Sequence, residues 1–78
     1  MKTSKSIYDM NIGDTSVIKS MDGISRQVFH RFLDLGIMPC AKVKLLNKIN
    51  FNQLFIIEIE DVEICIRQKD AKNIQIGG

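Results

Sequence analysis

The chain has 78 residues, of which 45% are hydrophobic and 26% charged, and a formal net charge of +2. This suits one compact domain, 1–78, whose small core leaves little room for an enclosed active site. The charge balance is too weak for a dedicated nucleic-acid binder with a broad basic face, and no apolar stretch approaches the roughly 20 residues that span a bilayer.

The opening, Met1-Lys2-Thr3-Ser4-Lys5-Ser6, is polar with no apolar signal-peptide core behind it, so a cytoplasmic protein without direct membrane insertion is expected. In SIYDMNIGDTSVIKSM, Ile7 and Met10 stand three apart, as in one helical turn. The chain then bends at Asn11-Ile12-Gly13-Asp14 and enters a strand around Val17 to Ser20.

DGISRQVFHRFLDLG is the clearest helix. At about 100° per residue, Ile24, Val28, Phe32 and Leu35 fall within roughly 80° of arc, and Phe29 and Leu33 widen the apolar stripe. Arg26, Gln27, His30 and Asp34 take the opposite face. Asp22 or Ser25 caps the start, and Gly36 supplies the left-handed residue that stops the helix, with Pro39 behind it. Ile37 and Met38 are large and apolar for a turn. One of them is expected to plug the end of the fold, and their alternative use is as an exposed contact, for a partner or for self-association.

From Lys42 the period changes to two. Val43 and Leu45 alternate with lysines, NKINFNQ is a polar connection with Phe51 at its tip, and Phe55, Ile57 and Ile59 share one face of the next strand. After a turn near Asp61, Val62, Ile64 and Ile66 alternate with Glu63, Cys65 and Arg67. QKDAKN reads as a short turn and Ile74-Gln75-Ile76 as a closing strand. The pattern predicts a mainly β fold: a small, partly open barrel of about five strands with one helix inserted after the first.

Charge is unevenly placed. Residues 1–57 hold eight basic and four acidic groups and residues 58–78 three and five, with Glu58, Glu60, Asp61 and Glu63 making an acidic hairpin region. These acids share no Gly-rich ligand loop, so a charged edge against aggregation is their expected role. Arg67 is expected to pair with Glu63 or reach a backbone carbonyl.

Few residues could carry chemistry. His30 and Asp34, four apart on the polar helix face, and the thiols Cys40 and Cys65 are the weak candidates for a metal, but two ligands are not a site and the cysteines lie outside any C-x-x-C spacing. No Ser-His-Asp set, phosphate-cradling loop or zinc spacing occurs, and neither an enzyme nor a bound cofactor is expected. With Tyr8 the only Tyr and Trp absent, a stacking platform for single-stranded nucleic acid is weakly supported.

IYDMNIGD, HRFLDLGIMP and ICIRQKDAKNIQI, in that order and spacing, resemble the FeoA family, the small cytosolic component of bacterial ferrous iron transport. The resemblance runs from Ile7 to Ile76 and implies an SH3-like β-barrel. It makes Gly13 the turn glycine, Arg31 the helix arginine, Leu35-Gly36-Ile37-Pro39 the signature turn, and Arg67 and Ala71 a pair after the hairpin. Cys40 and Asp61 stand where the family usually has glycine; if position 40 needs a positive φ, cysteine costs on the order of 1 kcal/mol there. The resemblance further implies an accessory protein that docks on the large membrane component FeoB. Arg31, Leu35, Gly36, Ile37, Met38 and Pro39 are the expected partner-binding residues, and ferrous iron is at most weakly bound. The alternative is a free-standing regulatory module, similar to the C-terminal domain of iron-dependent repressors.

Overall fold

A computed structural model describes residues 5–77. Those residues form six strands, β1 (Lys5–Ser6), β2 (Thr15–Ser20), β3 (Lys42–Ile49), β4 (Leu54–Ile59), β5 (Val62–Arg67) and β6 (Gln75–Gly77), with the helices α1 (Arg26–Asp34) and α2 (Gln68–Lys72). The strands make one antiparallel sheet in the order β1-β6-β2-β3-β4-β5. Its two ends do not pair with each other, so the sheet curls without closing.

Alternation decides which face is buried. Val43, Leu45, Phe55, Ile57, Ile59, Ile64 and Ile66 point into one core with Ile7, Ile18, Ile37 and Ile74, because successive strand residues face opposite sides. The closing strand lies inside the sheet, between β1 and β2. The expected turn at Ile7–Met10 is a 3₁₀ turn, Ile7–Asp9, closed by Met10 N–H donating to Ile7 C=O at 3.0 Å. Its Asp9 carboxylate accepts from Ser6 N–H and Oγ.

Four local expectations are corrected. The two-residue β1 makes six strands instead of five, and β3 runs on to Ile49 past a bulge between Leu45 and Asn47. QKDAKN is not a turn: Gln68–Lys72 is helical, held by buried Ala71 and by Gln68 N–H donating to Gln53 C=O at 2.8 Å. Val62 does not share the burial of Ile64 and Ile66, because it abuts the hairpin tip and is 51% exposed.

The helix α1 begins where Ser25 Oγ accepts from Val28 N–H, so Ser25 is the cap and Asp22 lies in the turn before it. At its other end Gly36 N–H donates to Leu33 C=O and Ile37 N–H to Phe32 C=O, at 3.1 and 2.9 Å. With Gly36 at φ +91°, these two bonds make a Schellman motif, in which the residue after the glycine normally packs back on the last turn.

Candidate functional site

That motif fixes the roles of the two apolar turn residues. Ile37 is fully buried and joins Phe32 in the core, whereas Met38 is 39% exposed. Ile37 is therefore the plug and does not present a surface to a partner; its side chain is the apolar seal of the helix end. Of the other expected contact residues, Leu35, Pro39 and Arg31 are exposed and Gly36 is half-buried. Leu35, assigned to the buried stripe, is instead the C-cap and is 43% exposed.

The turn does not stand alone. Gly36, Met38, Pro39 and Cys40 form one wall of an open cleft of about 580 Å³, and Glu58, Glu60 and Asp61 of the β4–β5 hairpin form the other, with Ile59 between. Lys42 and Lys44 complete the rim. Two stretches read separately in the sequence, the apolar turn and the acidic hairpin, thus face each other across one depression with an apolar floor and a charged rim. Such a shape suits the contact of another macromolecule, because apolar residues anchor while rim charges orient.

The backbone around the cleft is strained. Cys40 has φ +77°, and its N–H donates to Ile18 C=O at 2.7 Å, which ties the turn to β2. Glu60 and Asp61 have φ +52° and +67°, so the two-residue hairpin loop is of the type that follows the strand twist. A second groove of about 600 Å³ runs past Asp9, Asp14 and Asp22. Asp9 and Asp14 already accept turn N–H groups there, from Ser6 and Asn11.

The four metal candidates do not converge on one point. His30 and Asp34 project from the exposed face of α1, Cys40 sits in the turn and Cys65 in β5, both free and exposed. Among the described residues no three His, Cys, Asp or Glu groups come together as a metal would need. Arg67 is exposed and lies on the same strand as Glu63, with roughly 13 Å of strand between them, so the expected pairing within the chain is not made.

An open, curled antiparallel sheet capped by one helix, with a charged-rim cleft, defines the chain as a small SH3-like β domain. The sequence profile of the FeoA domain matches residues 5–77, and the chain belongs to the FeoA family. No curated protein matches it. Among solved structures, FeoA from Chlorobium tepidum superposes with a TM-score of 0.87 at 21% identity, over 92% of this chain and 68% of that one. Stenotrophomonas maltophilia FeoA, solved with zinc and described as a prokaryotic SH3 domain protein, gives 0.79 at 13% identity, over 94% and 89%. A manganese-dependent transcriptional repressor gives 0.86 at 16% identity, over 99% of this chain and 42% of the repressor. No helix among the described residues is long and apolar enough to cross a membrane.

Proposed function

We propose that the chain is a cytoplasmic, non-catalytic accessory of ferrous iron uptake that docks on the large membrane component FeoB and supports or regulates transport. The observation that carries this reading is the convergence of the exposed turn residues Met38 and Pro39 with the acidic hairpin at one cleft. Family membership supplies the transport context. Iron enters as the cargo of the partner.

The test is a titration of the purified chain against the cytosolic region of FeoB, with and without guanine nucleotide. Saturable binding is expected, and Met38→Asp should weaken it by about tenfold or more, as burial of a charge at an apolar anchor does. Because Met38 is outside the core, the variant keeps its fold, which circular dichroism checks. Unchanged affinity in a folded variant would remove the turn from the interface. A second reading, a free-standing regulatory module, is supported by the likeness to the manganese-dependent repressor. It is favoured if the chain instead binds a transcriptional regulator and ignores FeoB.

A further inference from the structure

The sheet has two free edges, and they are not alike. At one, β1 spans two of the described residues. At the other, β5 offers six residues in unbroken register with β4, with no proline, lysine or bulge in Val62–Arg67. Those are among the devices that usually blunt an edge; charge is the one β5 does carry, in exposed Glu63 and Arg67, so any strand that pairs there must match those two charges.

The turn geometry says which backbone groups are free. A two-residue loop of this type closes on a hydrogen-bonded pair, here Ile59 and Val62. Alternation then commits Val62, Ile64 and Ile66 to β4 and turns the N–H and C=O groups of Glu63, Cys65 and Arg67 outward. Arg67 is also the N-cap of α2, so its C=O accepts the first bond of that helix; among the described residues, no backbone hydrogen bond of the turns, loops and caps takes up the N–H of Arg67 or either group of Glu63 and Cys65. Their side chains are exposed as well.

We infer that β5 pairs antiparallel with β5 of a second copy of the chain about a two-fold axis at Cys65. In that register Glu63 lies opposite Arg67 of the second copy, Cys65 opposite Cys65, and Arg67 opposite Glu63. The three residues whose backbone groups face outward are the three that meet, so backbone and charge complementarity select the same alignment. A parallel pairing in register would set Glu63 against Glu63.

The neighbouring row supplies a separate reason. Glu58 and Glu63 are direct cross-strand partners, with Lys44 beside Glu58 on β3. Like charges directly opposite are unfavourable. Lys44 flanks the pair on one side and the free edge lies on the other, where Arg67 of a second copy would leave the two glutamates between two cations. The interface is isologous, as a two-fold contact must be. None of Glu63, Cys65 and Arg67 lines the cleft, so the pairing does not rest on the docking reading.

The experiment is sedimentation equilibrium on the purified chain over a concentration series. A reversible dimer is expected, weakened about tenfold or more by Glu63→Arg or by Arg67→Glu, each of which sets like charges opposite at both ends. The double exchange, Glu63→Arg with Arg67→Glu, should restore it. All three positions are exposed, so the variants keep the fold. In a Cys40→Ser background a short bis-maleimide should join two chains through Cys65, whose α-carbons would stand about 5.5 Å apart. A chain that stays monomeric throughout, a dimer indifferent to single reversals, a double exchange that does not recover, or failure to cross-link at Cys65 would each overturn the pairing.

Discussion

Cys40 carries a clear local cost, as one of six non-glycine residues at positive φ among the described residues. A residue with a β-carbon at φ +77° meets the steric penalty of left-handed backbone, about 1–2 kcal/mol, which glycine escapes. Glycine gives back part of that gain through the larger entropy of its unfolded state. Cys40→Gly should therefore stabilise the fold by about 0.5–1 kcal/mol, since the thiol is exposed and the bond from the backbone N–H to Ile18 is kept. Urea unfolding would read this as a higher midpoint at unchanged slope. An unchanged or lower midpoint would mean that the cysteine side chain repays its strain through contacts of its own.

At the scale of elements, the end of α1 joins folding to the cleft. The Schellman bonds need left-handed backbone at Gly36, and a β-carbon added there would meet only Ile59 Cγ2 at 3.6 Å, an ordinary contact. Crowding is thus absent, and the penalty of Gly36→Ala is conformational, about 1–2 kcal/mol. Thermal or urea unfolding should register that loss, and a much larger one would point to a rearranged turn. The helix stop was legible from Leu35-Gly36 and Pro39 alone, because capping is a local device. Which of Ile37 and Met38 turned inward was not stated by composition. It follows from the motif, whose second bond carries Ile37 back over Phe32. Val62 misled for a related reason: alternation gives the face of a strand, and the exposure of its first residue, next to the hairpin loop, depends on where the sheet ends.

Across the whole molecule, what could not be read in advance was long-range. The alternating runs gave β4 and β5 nearly residue by residue and the first half of β3, yet the insertion of β6 between β1 and β2 depends on pairs such as Ser6 with Gln75 and Ile18 with Ile76, which no local pattern encodes. The cleft likewise joins residues 36–44 to residues 58–61, and neither segment announces the other. Their juxtaposition places Glu58, Glu60 and Asp61 beside the apolar turn, and this arrangement has a kinetic consequence for the proposed docking on FeoB. Rim charges act on the approach of a partner over about 10 Å at 0.1 M salt, whereas apolar contacts act only once water is expelled. Raising salt from about 0.05 to about 0.5 M should therefore slow association several-fold and change dissociation less. Glu60→Lys with Asp61→Lys should slow it already at low salt. Both substitutions lie in the exposed hairpin loop, so circular dichroism should be unaltered. An association rate indifferent to salt and to charge reversal, with dissociation still sensitive to Met38→Asp, would assign the contact to the apolar turn alone and leave the acidic hairpin as protection of the sheet end.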